Sequence, residues 1–91
     1  IMHTISKIID VKPYHILVLF DNKEKRTIDF SNLVNSFPAL KNETVFKSVK
    51  LDDYPTLVWE NQASIVDYDG TIKPTSLDFC PDSLYQMSYP V

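Results

Sequence analysis

The residues most able to do chemistry crowd toward the end of the chain. Thr75–Tyr85, TSLDFCPDSLY, holds two carboxylates, the single cysteine, a proline and a tyrosine. Just upstream lie Asp67 and Asp69. Read from Asp67, DYDGTIKPTSLD sets acids at positions 1, 3 and 12 of an EF-hand-like loop, but position 6 is Ile72 and Gly70 lies two places early. A calcium loop needs glycine at position 6 for its sharp turn, and Pro74 stiffens a segment whose flanks look like strand. A hairpin turn is the better reading. Cys80 stands before Pro81 at an expected helix start, where a thiol pKa falls. A nucleophilic cysteine also needs a base, and His3 and His15 are not spaced to supply one. Packing is the simpler role for Cys80. Asp52 and Asp53 are adjacent, so a strand would point them to opposite faces. They read as turn residues, not as a paired acid and base. The glycosylation-type triplet at Asn42 stands idle without a secretion signal.

Trp59, the only tryptophan, is followed by Glu60 and Asn61. It is either a strand aromatic packed in the core or an interface anchor of the kind tryptophan favours. The residues offering a binding surface are Trp59, Asn61, Asp78, Asp82 and Tyr85. No catalytic, cofactor-binding or metal-binding residue is assigned.

The elements that position these groups read as an α+β domain: a small, mainly antiparallel sheet of a meander plus hairpins, with two or three short helices packed on one face. ISKIIDVKP is a first strand closed by Pro13. YHILVLF alternates Tyr14, Ile16, Val18 and Phe20 with His15, Leu17 and Leu19. Both faces are largely apolar, so one is expected under a helix and the other under a partner subunit. DNKEK is a turn, and RTIDF returns as a third strand. Ser31 is expected to cap a helical turn through SNLVNSF, which Pro38 breaks. KNETVFKSV predicts a short helix with Asn42 as N-cap and Glu43 in the first turn. VKLDD and TLVWE predict a hairpin turning at Asp52–Pro55, and ASIVDY and GTIKP another around DYDG. CPDSLY predicts a closing helix with Pro81 at its first position. Asp82 suits the positive end of that helix, Asp78 is expected to cap it or the chain leading into it, and Leu84 and Tyr85 dock it.

Composition narrows the function. The 91 residues make one domain with a modest core. The hydrophobic fraction of 44% rules out a disordered chain. A single glycine excludes the phosphate-cradling loops, which need several at fixed offsets. The net charge of −3, with scattered basic residues, argues against direct nucleic-acid binding or an anionic membrane surface. No apolar run approaches the ~18 residues of a membrane span. One cysteine and no leader-like start predict a reduced, cytoplasmic protein. Ile1, ahead of Met2, reads as a tag remnant.

The order of features resembles a small bacterial family, the domain of unknown function 2442. The resemblance rests on ISKIIDVKPYHILVLFDNKEKRTIDFSNLV, on LKNETVFKSVKLD, on Trp59 and Asn61 in TLVWEN, and on Leu77, Asp78, Pro81, Asp82, Leu84 and Tyr85 in the tail. It implies a single small α+β domain without established enzymatic activity, often encoded beside another small protein in a toxin–antitoxin-like arrangement. The chain departs from the family pattern in QASIVDYDGTIKPTS, which intervenes like an inserted hairpin between Asn61 and Leu77. The expectation is therefore a non-catalytic protein-interaction or regulatory module, the antitoxin-like partner of a neighbouring small protein. The alternative is a small-ligand-binding or enzymatic domain using the Trp59/Asn61 and Asp78–Tyr85 region. A homodimer is a third expectation, because the core is small and the second strand is apolar on both faces.

Overall fold

The computed structural model describes residues 3–53 and 55–91. Ile1 and Tyr54, the latter in the expected Asp52–Pro55 turn, lie outside the described residues. The α+β architecture is present, but its strands form two antiparallel sheets instead of one. β1 (Ile5–Lys12), β2 (His15–Phe20) and β3 (Lys25–Asp29) make the expected meander, which β7 (Ser88–Pro90) extends to the order β1-β2-β3-β7. β4 (Lys50–Leu51), β5 (Leu57–Val66) and β6 (Ile72–Asp78) form the second sheet, in that order. Between the sheets in sequence come two 3₁₀ turns, Leu33–Asn35 and Pro38–Lys41, and helix α1 (Glu43–Lys47). Helix α2 (Pro81–Met87) precedes β7.

β1 carries its inward apolar residues at Ile5, Ile8 and Val11, three apart where a regular strand would need two. Register shifts fall between Ile5 and Lys7 and between Ile8 and Asp10. Each bulge adds one residue and returns the next apolar side chain to the core face. On β2 the alternation holds. Ile16, Val18 and Phe20 are sealed in the core, and Leu17 and Leu19 on the opposite face are half-buried.

Several local expectations change in detail. Ser31 does not cap a helix; its backbone N–H donates to the Asp29 carboxylate at 2.9 Å, a short polar turn that competes with capping. Pro38 does not merely end a helical turn. It starts the second 3₁₀ turn, since proline at a first helical position forfeits no hydrogen bond. Asn42 caps α1 as expected, its Oδ1 accepting from the Val45 N–H at 3.1 Å, with Glu43 in the first turn. TLVWE and ASIV are not two strands. They are one continuous β5 with a register shift between Trp59 and Ala63, where Asn61 takes a left-handed φ of 61°. Asparagine tolerates that region better than other non-glycine residues.

The core fills the space between the two sheets. Ile5, Ile16, Val18, Phe20 and Ile28 from the first meet Leu57, Trp59 and Leu77 from the second, with Phe30, Phe46 and Leu84 closing the ends. The rings pack edge-on: Phe30 to Trp59 at 5.5 Å and 84°, Trp59 to Phe79 at 5.8 Å and 89°, Phe37 to Phe79 at 5.4 Å and 88°. Such pairs add about 0.5–1.5 kcal/mol each beyond burial. The radius of gyration is 13.7 Å, above the ~12 Å of a compact chain of this length. The excess fits a β5–β6 hairpin that runs past the core as an arm. No helix among the described residues is long and apolar enough to cross a membrane.

Candidate functional site

The five residues read as a surface do not come together. Trp59 is fully buried, and its indole N–H donates to the Phe46 carbonyl at 3.0 Å. Trp59 pairs with Leu77 across β5 and β6, and Val58 with Asp78. Alternation therefore sends Trp59 and Asp78 to opposite faces of the second sheet. Asn61 is exposed at the bulge, and Asp82 lies half-buried in the first turn of α2. Cys80, not Asp78, holds the N-cap position of α2, with Pro81 buried behind it. The Cys80 thiol is exposed, and the backbone N–H of Ser83, then that of Asp82, lowers its pKa.

Tyr85 works as a clasp. Its hydroxyl donates to Glu24 Oε2, which also accepts from Asn22 Nδ2 at 2.5 Å. Arg26 lies 4.5 Å from the Tyr85 ring centre and 3.5 Å from Glu24 Oε1. Its Nε donates to Ser88 Oγ at 2.6 Å and an Nη to the Ser88 carbonyl at 3.0 Å. His3 also stacks on the Tyr85 ring, at 3.7 Å and 10°. This network ties the tail to the β2–β3 turn.

The clasp sets a pH window. The Tyr85 hydroxyl, then Asn22, hold the Glu24 carboxyl below its usual 4.5. The same bond to Glu24 raises Tyr85 above its usual 10.0. A depressed carboxyl contributes stability that is present above its unfolded pKa and lost as pH falls through the folded one. A raised phenol contributes stability present below 10.0 and lost as pH rises through its folded value. Tyr85→Phe is expected to flatten both limbs of a stability-versus-pH curve, read by thermal melts from pH 3 to 11. Unchanged limbs would rule the clasp out.

Asp78 enters a different feature. Lys50 and Asp78 flank Val58 in register, on the face of the second sheet turned away from Trp59. With Asp52, Asp53, Glu60 and Ser76 they line a cleft of about 460 Å³. Lys50 Nζ pairs with Glu60 at 2.7 Å, while Asp52 Oδ1 is buried without a hydrogen-bond partner among the described residues. The lining holds four carboxylates against one lysine and contains neither histidine nor cysteine. It is suited to holding a cationic group.

The third feature is the arm. Beyond the bulge, β5 and β6 pair only with each other, from Ala63↔Thr75 to Val66↔Ile72. The turn closes with Gly70 at φ +85° and its N–H donating to the Asp67 carbonyl at 2.9 Å. Asp69 serves that turn: hydrogen bonds from Thr71, side chain first and then backbone, lower its pKa. Asp67 pairs with Lys73 at 2.5 Å. Asp67 and Asp69 thus lie at the turn and Asp78 at the far end of β6. Four large apolar side chains stand in solvent here: Ile65 at 52% exposure, Val66 at 72%, Ile72 at 69% and Tyr68 fully exposed. The hairpin is as expected from DYDG; the exposure of its apolar side chains is not. The signal was there in Ile65, Val66 and Ile72, apolar on both faces of a ribbon with nothing to bury them.

Comparison with known proteins finds no matching family model, no matching curated protein and no matching solved structure.

Proposed function

We propose that this chain is a non-catalytic protein-interaction module that uses the β5–β6 arm as its binding surface. The observation that carries the reading is the exposure of Ile65, Val66, Tyr68 and Ile72 on one hairpin. A two-stranded ribbon is marginal alone in water, and clustered exposed apolar residues mark interaction sites. The role is that of a cytoplasmic, regulatory, antitoxin-like partner, as the resemblance to the domain of unknown function 2442 implies. Reducing conditions there keep the Cys80 thiol free. In this reading the arm is the segment QASIVDYDGTIKPTS that sets the chain apart from the family pattern, added to extend the contact surface.

The test is co-purification with the product of the adjacent gene. The wild-type chain is expected to form a complex, and Val66→Thr/Ile72→Thr to lose it while melting normally. Threonine keeps the β-branched shape and replaces a methyl of Val66 and the ethyl of Ile72 with a hydroxyl. No complex, with no effect on the toxicity of that product, overturns the reading.

The buried, unpartnered Asp52 Oδ1 favours a second reading, a small-ligand site at the cleft with Asp78. Calorimetric titration with a primary alkylamine tests it. Binding that Asp52→Asn abolishes supports it, and no heat supports the interaction module alone.

A further inference from the structure

We infer that the arm, when no other protein occupies it, pairs with a second copy of this chain, each arm lying across the outer face of the other copy's four-stranded sheet. This rests on the reading of the arm as a binding surface. That outer face is itself unusual. The rows across it are Lys7–Leu19–Lys25 and Asp10–Leu17–Thr27–Tyr89, taken from the strand registers. Leu17 and Leu19 are half-buried and outside the core, and Tyr89 is 47% exposed. The face is an apolar stripe with lysines on both sides of Leu19.

The arm matches it in three respects. Its apolar side chains supply the counterpart of the stripe. Its charge is opposite: Asp67 and Asp69 against Lys73 leave a net negative tip, facing a row whose two charges are both lysines. Its length fits. From Ala63 to the start of the turn at Asp67 the arm covers about 13 Å, and four strands span about 15 Å.

The arm cannot satisfy the face of its own molecule. It is rooted through Leu57, Trp59 and Leu77 in the core, on the inner side of the sheet whose outer side carries Leu17 and Leu19. A second molecule is needed, and a two-fold axis lets both arms dock equivalently, closing the assembly. A domain of this size, with a modest core, gains from such burial.

Sedimentation equilibrium tests this on four full-chain samples: wild type, the arm variant Val66→Thr/Ile72→Thr, the face variant Lys7→Glu/Lys25→Glu, and an equimolar mixture of the two variants. Leu19→Thr serves as a second face variant that leaves the charge alone. Wild type is expected to be a dimer, and each variant alone to dissociate with a Kd at least tenfold higher. The mixture is expected to regain dimer, because one intact arm meets one intact face. A wild-type monomer at all concentrations overturns the inference. So does a face variant that stays dimeric while the arm variant dissociates, which would mean arm-to-arm contact. A monomer that still binds the adjacent gene product through its arm would defeat this inference and leave the interaction reading standing.

Discussion

Replacing Trp59 with alanine is expected to destabilise the fold by about 3–5 kcal/mol. The indole is fully buried and touches the rings of Phe30, Phe46 and Phe79. Truncation opens a cavity among side chains held by three separate segments, the end of β3, helix α1 and the end of β6, so the site cannot easily collapse. It also strips the Phe46 carbonyl of its 3.0 Å donor. An unsatisfied buried acceptor costs about 1–3 kcal/mol by itself. Trp59→Phe isolates that part, since the ring is largely kept and the N–H is lost. Urea denaturation followed by circular dichroism measures both variants. A Trp59→Ala cost below 1 kcal/mol, with loss of partner binding, would instead make Trp59 the surface anchor that its residue type first suggested.

Arg26→Ala is expected to be the next most damaging change, at about 2–3 kcal/mol for its charge-assisted bonds to Ser88 and its contact with Tyr85. The Arg26 side chain is 14% exposed and meets Ser88 twice. Ser88 Oγ in turn donates to the Tyr85 carbonyl at 2.5 Å, at the junction of α2 and β7. One guanidinium therefore fixes the helix end, the last strand and the Tyr85 ring. Hydrogen exchange should show β7 and its partners on β3 losing protection first. Arg26→Lys should rescue little, because an ammonium cannot present the guanidinium's fork. Uniform loss of protection across the chain would mean that β7 is not a separately anchored unit.

Much of this fold is legible in the sequence where local rules suffice. The alternation of Ile16, Val18 and Phe20 announces β2, Asn42 announces α1, and Pro81 announces α2. What escapes depends on partners far away in the chain. β7 is three residues ending in Pro90, a weak strand signal, and Arg26 from β3 makes it a strand. β5 reads as two pieces because Asn61 and Gln62 look like a break, whereas the bulge lets the strand continue. The division into two sheets follows from packing across Trp59, which no local pattern displays.

The candidate surface divided for the same reason. Val58/Trp59 and Leu77/Asp78 are adjacent pairs, so each strand must separate its two members. Knowing that Trp59 faces Leu77 across the ladder is enough to bury the tryptophan and expose the aspartate. Tyr85 belongs to neither face; its hydroxyl goes to Glu24. The tail is a fastening, and the cluster of exposed apolar side chains lies in the hairpin before it.

The central claim is that the β5–β6 arm is a binding surface rather than part of the independently stable domain. Amide hydrogen exchange, measured on the dilute chain and again on the assembled complex, tests it most directly. Ala63–Val66 and Ile72–Thr75 are expected to exchange rapidly in the dilute chain, far faster than β2 and β3, and to become protected on assembly. Arm amides that are already as protected as the core when dilute, and unchanged on assembly, would contradict it.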